Sequence, residues 1–319
     1  MKRKPIAIGL FSNVRGIEIG AQRAGFYTPF STDIEEDVRK HFLHNYRKVV
    51  HEFKETFYTA DVRDLKFKHI QEQLALIDVL IDIGDIDCLV GGPPCFGLTA
   101  ISSKRSVFNP LNMLMLEMLR IIDEAKPKTV FIEQVPPFLS EQVRPFRDLV
   151  FNAMHKMADY NWHVEILNAA NFGAYQSRER AIIIGVRNDL GVPASLPAPR
   201  AIDLSRQSAF AAVGAELFRS GQYNQPPSDG KTKVFGTMTG GNSEEIFIDG
   251  RWRKLTINER QILTDMAEVD FSALTLTRQR KTMGNMVMPQ FAEAIMRHIY
   301  DEILLKSPVY AACKAECQY

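Results

Sequence analysis

Short apolar runs alternate with amphipathic helical patterns through the first 190 residues, and this alternation constrains the fold more than any other feature of the chain. Alternating strands and helices favour a mostly parallel sheet that helices cover on both faces. The last two strands of the series follow each other closely and are predicted to pair. Predicted strands cover 6–11, 28–30, 86–90, 129–132, 162–167 and 181–186, and predicted helices cover 16–25, 34–46, 111–125 and 146–160.

The composition of the sequence changes after residue 189. Three prolines fall within 192–199, and 220–242 is rich in Gly, Pro, Ser, Asn and Thr. Helical patterns return at Thr256, which opens a capping-box pattern, and a last amphipathic helix is predicted over 290–305. We therefore predict a large domain formed by 1–189 plus 254–319, with a small loop-rich domain at 190–253.

Composition excludes several classes of protein. The 319 residues carry a formal net charge of +1, so any nucleic-acid binding needs a local basic face. Four cysteines are too few for a disulfide framework at this length and fit a reducing compartment. Cys313 and Cys317 lack a second ligand pair, so no metal site is expected. We find no signal peptide or membrane span and expect a cytoplasmic protein.

Reactive side chains follow three of the predicted strands. Cys95 ends the run Gly-Gly-Pro-Pro-Cys directly after an apolar strand, and Glu133 ends the strand at 129–132. Gln176, Arg178 and Arg180 alternate before the strand at 181–186, so they share one face. The carboxyl ends of parallel strands are where such sheets bind ligands. Taken singly, these residues could equally be a buried thiol, a surface acid and a charged sheet edge.

The order of the blocks resembles the C5-cytosine DNA methyltransferase family. That order is Gly-rich start, Pro-Pro-Cys, Glu-Gln-Val, Gln-x-Arg-x-Arg, insertion, Leu-Thr-x-x-Glu and Gly-Asn-x-Val, from Ile6 to about Ile299. The resemblance implies a Rossmann-like, S-adenosylmethionine-dependent methyltransferase fold with a small target-recognition domain.

The resemblance also implies a catalytic set. Cys95 would add to C6 of a flipped cytosine, so that electron density develops at C5. Glu133 would hydrogen-bond N3 and the exocyclic amine, and Arg178 would hold the O2 carbonyl. Arg180 belongs to the same catalytic block.

S-adenosylmethionine is the cofactor that the resemblance implies. The opening loop departs from the family pattern Asp-Leu-Phe-x-Gly-x-Gly-Gly, because Gly9 stands at the Asp and Asn13 and Arg15 stand at two glycines. Arg15 suggests an alternative, in which a carboxylated derivative of the cofactor transfers a carboxylated methyl group. The positions that match the family's cofactor site are Phe11, Ser12, Asn13, Arg15, Gly16, Asp33, Asp61, Pro93, Asn285 and Val287.

Double-stranded DNA is the expected partner of a monomeric enzyme, and a cognate restriction endonuclease is a second candidate partner. Alternatives are a tRNA cytosine C5-methyltransferase and a catalytically silent DNA-binding homologue. A basic set in the small domain would contact phosphates, and 96–110 would close over the target as a lid. The substrate-binding positions are Gln176, Ser102, Lys104, Arg105, Thr237 and Thr239, and the basic set is Arg200, Arg206, Arg219, Lys231, Lys233, Arg251 and Arg253.

Overall fold

A sheet of seven strands organises the larger part of the molecule, in the order β3-β2-β1-β4-β5-β7-β6. The computed structural model describes residues 4–48, 54–95, 98, 109–220 and 226–310. Neighbouring strands from β3 to β5 run parallel, whereas β7 is antiparallel to both β5 and β6. The strands are β1 Ile6–Leu10, β2 Tyr27–Asp33, β3 Thr56–Thr59, β4 Cys88–Gly91, β5 Thr129–Gln134, β6 Tyr160–Asn168 and β7 Glu179–Arg187.

Helices cover both faces of this sheet, and the predicted α/β class is confirmed. The last α-helix, α10, packs on α1, and a π-helical turn over Ile299–Leu304 continues it. The helices are α1 Gly16–Arg23, α2 Glu36–Tyr46, α3 Phe67–Ala75, α4 Leu114–Ala125, α5 Arg144–Lys156, α6 Leu204–Gln207, α7 Ala209–Val213, α8 Ile257–Leu263, α9 Leu276–Asn285 and α10 Pro289–His298.

Side-chain alternation along β1 divides the core between the two faces. Ile6, Ile8 and Leu10 pack into the cluster covered by α3, α4 and α5, whereas Ala7 packs into the cluster covered by α1 and α10. Both faces of the central strands are therefore buried, which is why these strands read as continuous apolar runs. Their carboxyl ends are left as the polar edge of the sheet.

A smaller sheet of four strands, in the order β11-β10-β8-β9, follows the first. Phe218, Phe235 and Ile246 form its core together with Leu255 and Leu263, so residues beyond 253 contribute to it. The division at 190–253 stays a proposal. The strands of this sheet are β8 Leu217–Arg219, β9 Ser228–Asp229, β10 Glu245–Ile248 and β11 Arg251–Lys254.

Membrane-spanning helices were also sought in the structure. No helix in the described ranges is long and apolar enough to cross a membrane.

Candidate active site

Cys95 lies just beyond the carboxyl end of β4, on the loop that the two prolines stiffen. The loop is fixed from the neighbouring strand, because the Gln134 side chain donates a 2.7 Å hydrogen bond to the Pro93 carbonyl. Cys95 is partly buried and packs against the main core. The thiol is therefore held in place at the same sheet edge as the end of β5.

Glu133 and Arg180 form an ion pair beside this thiol. The Arg180 Nε lies 2.6 Å from the Glu133 Oε1, and both side chains are largely buried. Burial, followed by the Glu133 carboxylate, raises the pKa of the Cys95 thiol to about 11, and the Arg180 and Arg178 guanidinium groups oppose the shift. In the free protein the sulfur is consequently a protonated thiol at neutral pH.

Arg178 is buried and bound to two backbone carbonyls. Its two terminal nitrogens donate to the Met238 and Gly284 carbonyls, at 3.0 and 2.8 Å. Its Nε has no hydrogen-bond partner among the described residues, and burial lowers the pKa of the guanidinium. Arg178 thus joins the residues that precede β7 to the loop at Met238 and to α9, while Arg180 is the arginine paired with Glu133.

The remaining substrate-binding positions fall into two groups. Gln176 is buried, donates to the Leu263 carbonyl and accepts from the Met238 amide, so it fixes the loop of the small domain. Thr237 is exposed and donates to the Ser177 carbonyl, whereas the Thr239 hydroxyl and amide donate to Glu244. Ser102, Lys104, Arg105 and most of the predicted lid lie outside the described residues, as do Cys313 and Cys317.

A pocket at the carboxyl ends of β1 and β4 adjoins Glu133 and the loop that carries Cys95. Six of the predicted cofactor residues line it, and they come from two segments distant in sequence, the loop before α1 and the end of α9. Gly16 permits this meeting, because a Cβ there would lie 1.9 Å from the Val287 carbonyl oxygen. Gly92 and Glu133 also line the pocket, which places it next to Cys95. The six predicted residues are Phe11, Ser12, Asn13, Gly16, Asn285 and Val287.

The other predicted cofactor residues have structural contacts instead. Asp33 accepts from the Asn13 and Glu35 amides and so holds the opening loop; burial raises its pKa. Asp61 is paired with Arg63, which lowers the pKa of Asp61. Arg15 donates to Ser31 and Thr28 and forms a 2.7 Å ion pair with Glu55. The Arg15 guanidinium is therefore bound to β2 residues and to Glu55.

One ionisable residue of the pocket was not predicted from the sequence. Glu18, on α1, is 1% exposed and lines the pocket. Burial raises the pKa of the Glu18 carboxyl, and the positive charge of Arg15 partly offsets this shift. The signal available in the sequence was the glycine at position 9, where the family pattern has an acid. No group of three or more His, Cys, Asp or Glu that could hold a metal occurs in the described ranges.

A comparison with family models decides the family. Residues 7–213 match the model of the C-5 cytosine-specific DNA methylase. The chain belongs to this family. The match spans the opening loop, Cys95, Glu133 and both arginines, so the family recognised from the block order is confirmed.

Known proteins agree with this assignment. The chain is 26% identical over 186 residues to the type II methyltransferase M.FnuDI of Fusobacterium nucleatum, covering 58% of this chain and 48% of the relative. It is 30% identical over 196 residues to M.XorII of Xanthomonas oryzae pv. oryzae, covering 60% and 42%. The matches thus span about half of these relatives or less. The Spodoptera frugiperda DNMT2 structure shares the fold, with TM-score 0.66, 13% identity and coverage of 93% and 100%.

Proposed function

We propose that this member of the C-5 cytosine-specific DNA methylase family is an active DNA cytosine C5-methyltransferase. The observation that carries the proposal is the meeting of Cys95, the Glu133–Arg180 pair and the pocket behind the opening loop at one sheet edge. A protein that only binds DNA has no use for a thiol beside a buried acid and guanidinium.

The proposed chemistry begins with a cytosine flipped out of the duplex, because C6 is inaccessible inside the base stack. The Cys95 sulfur adds to C6 after losing its proton, and C5 gains electron density. Glu133 hydrogen-bonds N3 and the exocyclic amine. In this proposal Arg180 takes the O2 contact that the family resemblance implied for Arg178, since Arg180 is the arginine paired with Glu133, whereas Arg178 is buried and bound to the Met238 and Gly284 carbonyls.

The residues of this pocket are proposed to bind the methionine end of S-adenosylmethionine, which supplies an electrophilic methyl group when it is bound. Backbone groups of Phe11, Ser12 and Asn13, with Asn285 and Val287, would hold its methionine end. Asp33, Asp61 and Pro93 remain proposed contacts of the nucleoside end. A carboxylated cofactor derivative receives no support from Arg15, because that guanidinium is paired with Glu55.

Double-stranded DNA is the proposed substrate, and the small domain its recognition region. Arg219 is paired with Glu245 and Arg253 with Glu259, so these two cations are used internally. The other members of the basic set are exposed and fit phosphate contacts. Thr237 and Thr239 lie on a loop beside Arg178 and are proposed to approach bases. A monomeric state and a restriction partner remain proposals.

Trapping on DNA that contains 5-fluorocytosine tests the proposal. With S-adenosylmethionine present, we expect a covalent complex that survives denaturing electrophoresis. Fluorine replaces the C5 proton whose removal would expel the Cys95 sulfur from C6, so the C6–S bond persists after methyl transfer. Cys95→Ala should abolish trapping and lower methyl transfer at least about a thousandfold, as expected for a nucleophile. The same variant should still bind S-adenosylhomocysteine, which shows that it is folded.

Two alternatives give distinct results in the same experiment. Trapping on 5-fluorocytosine tRNA but not on DNA would establish an RNA enzyme. Absence of trapping on both, with DNA binding retained, would establish a silent homologue. Either result contradicts the proposed DNA methyltransferase activity.

A further inference from the structure

Glu18 is a buried carboxyl in the cofactor pocket for which the proposed chemistry gives no role. Its side chain is 1% exposed, and its Oε1 has no hydrogen-bond partner among the described residues. Leaving a buried acceptor unpaired is unfavourable, so such an atom calls for an explanation. An acceptor that a bound ligand completes would account for it.

The space around Glu18 exists because residue 9 has no side chain. A Cβ built on Gly9 would lie 2.0 Å from the Glu18 Oε1, and 2.7 and 2.9 Å from two further Glu18 side-chain atoms. The family pattern places an aspartate at this strand position. Here helix α1 delivers a carboxyl to the space that a side chain on β1 would otherwise fill.

No cationic side chain in the described ranges forms a hydrogen bond with the Glu18 Oε1. Arg15 is the nearest candidate by charge, but its guanidinium is bound to Glu55, Ser31 and Thr28. The loop residues before α1 line the pocket together with Glu18. The methionine end of S-adenosylmethionine carries an α-ammonium, which donates charge-assisted hydrogen bonds to carboxylates.

We propose that the Glu18 Oε1 accepts a hydrogen bond from the α-ammonium of the cofactor, and that Gly9 makes room for it. The inference rests on the proposed use of S-adenosylmethionine and adds a binding residue particular to this chain. It explains how the opening loop keeps an acidic partner for the cofactor without the usual aspartate.

Binding calorimetry on the full chain tests the proposal. The probes are S-adenosylhomocysteine and methylthioadenosine, which lacks the amino-acid portion. We expect Glu18→Gln, which keeps the size of the side chain, to weaken S-adenosylhomocysteine binding at least about tenfold, the range for removal of a charge-assisted hydrogen bond. Methylthioadenosine should bind both proteins within about twofold, because it has no ammonium.

A second measurement uses only the wild-type protein, so its result does not depend on whether the E18Q variant folds. The analogue of S-adenosylhomocysteine without its α-amino group should bind the wild-type chain at least about tenfold more weakly than the parent compound. Equal affinities for the two compounds, or equal S-adenosylhomocysteine binding by E18Q and wild type, would overturn the role of Glu18. Failure of the wild type to bind S-adenosylhomocysteine at all would instead contradict the proposed function.

Discussion

Cys95 lies in an environment that disfavours its reactive thiolate form. Burial and the Glu133 carboxylate raise its pKa to about 11, so the neutral thiol predominates at physiological pH. Cys88 is fully buried within β4, and burial raises its pKa to about 12. A thiol needs access as well as deprotonation to react, which separates the two cysteines.

Alkylation of Cys95 tests this electrostatic account. Below the pKa of about 11 the rate with iodoacetamide should rise about tenfold per pH unit, because only the thiolate reacts. Glu133→Gln removes a charge that disfavours the thiolate and releases Arg180, which favours it. We therefore expect Cys95 in E133Q to react at least about threefold faster at about pH 8.5, while methyl transfer falls.

Mass spectrometry of the Cys95 peptide measures this rate separately from other thiols, with the Cys88 peptide as an internal control that stays unlabelled in the native protein. A slower reaction of Cys95 in E133Q would show that Glu133 acts as the base for the thiol rather than as a charge that opposes its ionisation.

Three residues of the opening loop adopt positive φ values, which glycine tolerates better than residues with side chains. Phe11, Asn13 and Arg15 have φ values of 54°, 45° and 65°, a region that costs other residues about 1–2 kcal/mol each. The contacts described above compensate: the Asn13 amide is bonded to Asp33, and the Arg15 guanidinium to Ser31 and Glu55. Replacement of two family glycines is therefore compatible with the family's loop geometry.

On the scale of the elements, the close contact between the start of α1 and the Val287 backbone just after α9 depends on Gly16. We expect Gly16→Ala to lower the free energy of unfolding by about 1–3 kcal/mol, because the new Cβ would meet a backbone carbonyl that cannot move aside. Affinity for S-adenosylhomocysteine should fall as well, since the same packing shapes the pocket. Urea denaturation and calorimetry measure the two effects.

Gly241→Ala is the matched control for this substitution. Its Cβ would meet no atom closer than 3.5 Å, so we expect a change within about 0.5 kcal/mol. Equal stability of G16A and wild type would contradict the close packing of α1 against the 286–288 segment.

On the scale of the whole molecule, a net charge of +1 provides no general attraction for DNA, so the proposed DNA binding depends on exposed cations of the proposed small domain. Replacing Lys231, Lys233 and Arg251 by Gln should weaken DNA binding similarly for all sequences. The slope of log affinity against log salt should fall by up to about 0.9 for each phosphate that no longer has a cationic partner. Fluorescence anisotropy across a salt series measures this slope.

Arg253→Gln serves as the comparison, because Arg253 is paired with Glu259 and should contribute little to the slope. An unchanged slope in the triple variant would place the DNA on another face of the protein.

Much of the architecture could be predicted because local pattern decides it. Buried strands such as β4 and β5 are mostly apolar, so neighbouring residues alone predicted that Cys95 and Glu133 stand at strand ends, whereas their proposed roles came from the family resemblance. The strand β3 and the helix α3 were missed, since they are short and flanked by charged residues. The small sheet was predicted only as a loop-rich region, because such short strands leave no periodicity to detect.

The sequence by itself determined the family, the order of most strands and helices in the first 190 residues, and the strand ends that carry the thiol and the acid. Tertiary structure decided which contacts each of the two arginines makes, because alternation places Arg178 and Arg180 on one face without distinguishing them. The partners of Arg178 lie 60 and 106 residues away, and those contacts leave Arg180 to Glu133. Glu18 likewise enters the pocket only because packing brings it against Gly9, a contact between two elements that no local pattern encodes.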